Sequence, residues 1–306
     1  MAGSIILRSD FPPFMRARQL NALSAAFDQT LNLFEQMRGE YYNTSDTKDP
    51  YYSEFGMVGL GMARLKHETT PAGLDRPALG RPYTMVFPTY SLAVAISEEA
   101  QEDDTEGKLM PMITKELGRS IVEAMEEDAV SQFNNGFSAQ GWEADGVALF
   151  STSHPLIRGS GTSSNASATA AALSITSLDA AMTTLRTTRN DTGRWMSEMM
   201  PKKLHVHPAL LPDALRIIRT SQVLGSNYND VNLYYKTLEA MPNPRFSSTT
   251  RWFLAADNHK WLWKNRRKAR LVTDVDEVSG VTVLQVSARW GRGASDWRGY
   301  YGSNAS

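Results

Sequence analysis

Leu20, Leu23, Phe27, Leu31 and Phe34 recur at spacings of three and four, so the chain opens with a single apolar stripe on a helix. Pro12 and Pro13 precede that stripe and Gly39 follows it. The polar stretch 41 to 52, ending at Asp49-Pro50, is expected as a linker, which makes residues 1–50 a helical N-terminal arm. The period then changes from helix to strand. Tyr90, Leu92, Val94 and Ile96 alternate with Ser91, Ala93, Ala95 and Ser97, as in a sheet with one buried face. Residues 55 to 66 also look extended, although Gly56, Gly59 and Gly61 interrupt them, and 69 to 80 is turn chemistry throughout. The expectation is a long two-stranded hairpin over 51–97, with Pro82 and Pro88 confining its pairing to edge positions. Such a ribbon is marginal in water by itself and needs a neighbour.

Met110, Ile113, Leu117, Ile121, Ala129 and Phe133 restore the helical period over about 108–133, with Lys115, Glu116, Arg119, Glu123, Glu126 and Glu127 on the other faces. At ~1.5 Å per residue this helix is on the order of 35 to 40 Å long, a natural backbone for an elongated subunit. A Gly/Ser/Thr/Ala loop occupies 159 to 172, and helices are expected near 177–189 and 209–221, with a short strand at 203–207 between them. Strands near 251–256, 260–264, 269–274 and 281–291 complete the chain, and no internal repeat is evident. Helices and strands in this mixed order indicate an α+β fold, not a repeating βαβ wind.

Composition narrows the function classes. A length of 306 residues allows two lobes or one lobe with long extensions, and 42% apolar with 21% charged residues is that of a folded protein. The net charge of −1 gives no global pull toward nucleic acid or acidic membranes. Without cysteine there are no disulfides, thiolate nucleophiles or zinc-thiolate sites. The N-terminus does not read as a signal peptide, and no stretch reaches the roughly 18 apolar residues of a membrane span. The expected location is therefore the cytoplasm in which the chain is made, where the Asn-x-Ser/Thr triplets at Asn43, Asn165 and Asn304 carry no glycan.

Candidate chemistry is sparse. Ser151, Ser153 and His154 could suggest a serine hydrolase, but a catalytic base usually arrives from a separate element and no Gly-x-Ser-x-Gly elbow occurs. The competing expectation is a strand ending in a serine-rich turn before Pro155. His205 and His207 share one strand face as two metal ligands would, yet no spacing supplies a third; otherwise Leu204 and Val206 point to the core and both imidazoles face out. Gly291-x-Gly293 is too short for a dinucleotide fingerprint, and no phosphate loop exists, so no cofactor is implied. Two charge clusters remain. Lys260, Lys264, Arg266, Arg267, Lys268 and Arg270 are interleaved with Trp261 and Trp263, while Glu98, Glu99, Glu102, Asp103, Asp104 and Glu106 crowd nine positions. They are either two solvated faces or, being opposite in sign, contacts between copies of the chain; the basic one could also grip nucleic acid.

In this order the segments resemble the major capsid proteins of tailed bacteriophages, the Hong Kong 97-type fold. The resemblance rests on residues 90 to 104 with the long helix after them, on Asp145-Gly-Val-Ala-Leu-Phe-Ser-Thr-Ser-His-Pro155, on 201 to 210, and on 292 to 303. It implies an N-terminal arm (1–50), an extended loop (51–97), a peripheral domain (98–140 and 276–306) carrying the spine helix, and an axial domain (141–275). It further implies copies assembling as hexamers and pentamers into an icosahedral head around double-stranded DNA, in a virion built in the host bacterial cytoplasm, without enzymatic activity. A separate scaffold protein, a portal and decoration proteins are the partners to expect, with DNA touched weakly. An encapsulin-like nanocompartment shell is the alternative. Contacts between subunits are expected at Thr69, Pro71, Leu74, Asp75 and Arg76 on the hairpin tip, at the acidic residues Glu98, Glu99, Glu102, Asp103 and Asp104, and at Lys264, Arg266, Arg267 and Lys268. Some relatives cross-link a loop lysine to a neighbour's asparagine; the tip 69 to 80 has no lysine, so that chemistry is not expected here.

Overall fold

A computed structural model describes residues 13–33, 37–69, 71–104, 108–138, 145–196, 198–222, 231–276 and 280–305. In chain order the elements are α1 (Pro13–Leu33), α2 (Arg38–Tyr41), β1 (Asn43–Asp46), β2 (Tyr51–Val58), β3 (Ala78–Val86), β4 (Thr89–Ile96), α3 (Glu98–Glu102) and α4 (Leu109–Asn134). There follow β5 (His154–Pro155), β6 (Thr162–Ser163), α5 (Ile175–Arg186), β7 (Pro201–Val206), α6 (Leu211–Arg219), β8 (Glu239–Pro242), β9 (Trp252–Ala256), β10 (Trp261–Val275), β11 (Thr282–Ala294) and β12 (Tyr300–Ser303). The strands form two four-stranded sheets, one ordered β1-β10-β11-β4 and the other β12-β9-β7-β8, with β2-β3 and β5-β6 as separate two-stranded pairs.

The long helix α4 has 26 residues, and its apolar stripe Leu117, Ile121, Val122, Met125, Ala129, Val130 and Phe133 is buried. On one side α1 lies against it. Gly118 makes that approach possible, because a Cβ there would stand 3.2 Å from Thr30 Cγ2 and 3.3 Å from Phe27 Cδ2. On another side α4 is bonded to the first sheet: Asp128 accepts from Trp290 Nε1 at 2.8 Å and from Arg292 Nε at 2.8 Å. The helix thus carries Trp290, Leu284, Val286 and Ala288 of β11 in one core with Trp261 and Trp263 of β10. A second core joins α5 and α6 to the other sheet through Leu178, Met182, Leu185, Leu204, Ile218, Trp252 and Leu254.

Several expectations are corrected. The stretch expected as a linker enters the core, where Tyr41 and Tyr42 are buried and Tyr42 Oη donates to Ala129 O at 2.7 Å, while 43–46 pairs in parallel with β10. The arm helix α1 is packed on its own subunit; of the stripe that predicts it, Phe34 and the side chain of Leu20 lie outside the described residues. The alternating strand 89–96 is not the hairpin's return arm. It joins the first sheet beside β11, and β2 instead pairs with β3, with Phe55 opposite Pro82. Periodicity locates a strand but not its partner, and β3, broken by Gly80 and Pro82, gives no alternating signal. Strands expected at 260–264 and 269–274 are one bulged strand paired with β11. The expected division at 275/276 therefore falls at the end of a hairpin whose two strands share one sheet.

Candidate interaction surfaces

The hairpin β2-β3 leaves large apolar side chains in solvent: Phe55 is 68% exposed, Met57 70%, Leu65 87%, Leu74 100% and Leu79 78%. Runs of this size on one projecting element mark a contact surface, since scattered single residues are what an ordinary exterior shows. The base of the hairpin is fixed. Arg81 Nη2 donates to Pro155 O at 2.7 Å, and β3 crosses β11 at two glycines, where a Cβ on Gly291 would lie 2.8 Å from Met85 Cγ and one on Gly293 would overlap the Tyr83 hydroxyl. The pair Gly291-x-Gly293 is thus a notch for the hairpin, which a search for nucleotide motifs has no means of showing.

Of the tip residues, Thr69, Pro71, Leu74, Asp75 and Arg76 are all exposed. Asp75 and Arg76 are tied down: Asp75 accepts from Gly61 N and from Arg158 Nη2 at 3.0 Å, and Arg158 Nη1 donates to Arg76 O at 2.8 Å. The Gly61 amide and then the Arg158 guanidinium hold the Asp75 carboxyl below the usual carboxylate range.

The acidic cluster forms the short helix α3 at one end of the first sheet, capped by Ser97 and fixed by Gln101 Nε2 donating to Thr282 Oγ1 at 3.0 Å. Glu98, Glu99 and Asp103 are exposed, whereas Asp104 accepts from Leu109 N at the start of α4. The side chain of Glu102, and Glu106, lie outside the described residues. The basic cluster divides in two. Lys264 and Lys268 turn to β1, with Lys264 Nζ 3.1 Å from Ser45 Oγ and 4.1 Å from the Tyr52 ring centre, and Lys268 Nζ 3.0 Å from Asp46. Arg267 sits directly opposite Arg289 of β11, between two bulges that place Arg266 and Arg270 alongside. Burial, then the Arg270, Arg289 and Arg266 guanidiniums, hold Arg267 below the usual arginine pKa, and its Nε is buried without a hydrogen-bond partner.

The serine-histidine segment does not have the arrangement that serine hydrolysis needs. His154 is fully buried, its Nδ1 donates to Asp145 Oδ2 at 2.6 Å, and its ring stacks on Trp297 at 4.1 Å between centres. Asn165 Nδ2 donates to Leu149 O and Trp297 O, which turns Oδ1 toward His154 Nε2 at 3.0 Å and Ser151 N at 2.9 Å. Neither ring nitrogen faces a serine hydroxyl. His205 is corrected too: it is buried, with both nitrogens unpartnered, between Tyr41 and Tyr300, and only His207 faces outward, accepting from Ala209 N. The reason is that β7 lies inside its sheet with cores on both faces, so alternation offers no exposed side there. Among the described residues no group of three or more His, Asp or Glu could hold a metal ion.

A family model described as phage capsid protein matches residues 83–303, from β3 to the end of β12. Among curated proteins none matches. Solved structures resemble the chain at low identity. The capsid of a native GTA particle is 9% identical with a TM-score of 0.59, over 90% of this chain and 91% of that one. A chain of Mycobacterium phage Adephagia is 10% identical with a TM-score of 0.55, over 89% and 91%. A chain from the procapsid of bacteriophage JBD30 is 12% identical with a TM-score of 0.52, over 96% and 76%. At these identities the likeness shows the fold, which is the capsid fold that the order of segments implies.

Proposed function

The chain belongs to the phage capsid protein family, and from that premise we propose that its copies associate as hexamers and pentamers into the icosahedral head of a tailed phage, around double-stranded DNA. The observation that carries this reading is the β2-β3 hairpin, fixed at its base and apolar at its free surface, a shape that buries itself only on another copy. Many non-covalent contacts, each in the range of roughly 1,200 to 2,000 Å² that specific interfaces bury, hold such a shell together. We assign a separate scaffold protein, a portal and decoration proteins as the partners that set curvature, admit DNA and cover the exterior, and the host bacterial cytoplasm as the place of assembly. DNA contact is weak and non-specific, in keeping with a net charge of −1. The role is structural. A buried His154 turned away from Ser151 and Ser153 supports the absence of serine-hydrolase chemistry.

Electron microscopy of the purified protein, alone and coexpressed with a scaffold, is expected to show capsomers or closed shells, and a protein that stays monomeric in every such condition would overturn the reading. Replacement of 59 to 77, the connection between β2 and β3, by a two-residue Asn-Gly turn is expected to leave a folded subunit that no longer assembles. Nucleic acid should copurify with heads from infected cells, where a cargo enzyme in its place would mean a nanocompartment. A serine-reactive probe is expected to leave the native protein unlabelled.

A further inference from the structure

The acidic helix α3 and the arginines of β10 and β11 hang on the same sheet and cannot meet within one subunit. Ile96, the last residue of β4, pairs with Thr282, whereas Ser287 and Arg289, opposite Arg270 and Arg267, lie five and seven positions further along β11. At about 3.3 Å per residue the patches are roughly 17 to 23 Å apart, two to three screening lengths at physiological salt. Gln101, bonded to Thr282, keeps α3 at its end. The arginine patch is left uncompensated among the described residues. Arg267 and Arg289 face each other directly across the strands, an arrangement that costs stability unless an anion intervenes. Among the described residues no carboxylate pairs with Arg266, Arg267, Arg270 or Arg289, and Arg289 is met only by the carbonyl of Phe87, at 2.9 and 3.3 Å. Glu99 and Asp103 are exposed and make no ion pair among the described residues.

We propose that the arginine patch Arg266, Arg267, Arg270 and Arg289 of one copy receives the acidic helix α3, through Glu99 and Asp103, of a second copy. The proposal rests on the capsid reading and deepens it. Two different patches on one chain give a head-to-tail contact, the class that closes into rings, whereas a self-complementary patch would stop at a dimer. Complementary charge also orients the encounter, and a carboxylate from the second copy offsets the repulsion between Arg267 and Arg289. Lys264 and Lys268, engaged with Tyr52, Ser45 and Asp46 of their own subunit, are not part of the contact.

Charge reversal tests the pairing. Glu99→Arg with Asp103→Arg, and separately Arg267→Glu with Arg270→Glu, are each expected to lower the assembled fraction in sedimentation by about tenfold or more. The variant carrying all four changes has both patches inverted and is expected to recover assembly. Thermal unfolding of each variant confirms folding. If the fourfold variant assembles no better than its parents while the unmodified chain forms shells, the inference falls and the capsid reading stands. If the unmodified chain never assembles, the reading falls and takes the inference with it. If the arginine variant assembles normally and loses only packaged DNA, the patch faces DNA and the inference falls. A second measurement needs no reversal. The chain has no cysteine, so Glu99→Cys with Arg270→Cys introduces two thiols too far apart to join within a subunit, where a disulfide needs about 4.4 to 6.8 Å between Cα atoms. Oxidised assemblies should give a ladder of linked copies on a non-reducing gel, and monomer alone from intact shells would overturn the proposal.

Discussion

Gly293 of β11 lies so close beneath Tyr83 of β3 that no Cβ could stand there without displacing the phenol. The hairpin base is therefore seated by shape, and Tyr83, whose hydroxyl burial pushes above its usual pKa, is the part that fits the notch. Gly293→Ala should cost about 1–3 kcal/mol through overpacking. Its signature is local: amide exchange should quicken across 78–86, while α4 stays protected. Equal exchange in both proteins would show that Tyr83 swings away at no cost.

The tip is held by weaker means. Arg158 and Asp75 are each about one-third exposed in their side chains, so the ion pair itself contributes little, at most about 1 kcal/mol. Yet it and the Arg158 bond to Arg76 O both join the tip to the body. Arg158→Ala is expected to leave the melting temperature within about 2 °C while making 60–77 a site of rapid proteolysis. Unchanged cleavage would mean that the hairpin stiffens itself.

Burial of His154 between Asp145, Asn165 and Trp297 makes a second prediction about stability. His154→Ala removes the buried Nδ1 hydrogen bond and the ring stacked on Trp297, and leaves Asp145 without one of its partners, a loss on the order of 3 kcal/mol. Ser153→Ala, at an exposed hydroxyl, should fall within about 0.5 kcal/mol. Denaturant unfolding of the two variants separates them, and the reverse order would mean that the serine has a role this geometry does not show.

The elements whose side chains repeat with one period are legible in the sequence alone. Leu117, Ile121, Val122 and Phe133 mark the long helix, and Leu284, Val286, Ala288 and Trp290 mark a strand with one face in the core. What sequence does not encode locally is partnership. The strand ending at Ile96 alternates equally well against β3 or β11, and only the tertiary core chooses β11. Tyr41 and Tyr42 sit in a polar run that reads as linker, yet their rings fill space beside Phe133, Trp261 and Trp263, contacts made with residues far along the chain. His205 fails for a related reason, because alternation assumes one wet face and β7 has none. The charge clusters were visible as composition, but the split that sends Lys264 and Lys268 to β1 and leaves the arginines together depends on two bulges in β10, which no local pattern announces.

The same burial of His205 predicts an acid limit to stability. Desolvation, followed by the charge of Lys203, lowers its pKa to about 3, and desolvation first again lowers that of half-buried His259 to about 4. In the unfolded chain both titrate near 6.5, so below that pH the unfolded state binds protons that the folded state refuses. Stability is then fully present above about 6.5 and is lost as pH falls toward 3 to 4, at up to about 1.4 kcal/mol per pH unit for each histidine. This is on the order of 2 kcal/mol by pH 5 for each of the two. His205→Phe keeps an aromatic ring between Tyr41 and Tyr300 and removes the titration. Denaturation midpoints measured at pH 7 and pH 5 should therefore shift less in this variant than in the unmodified protein. Equal shifts in the two would assign the acid sensitivity to other groups.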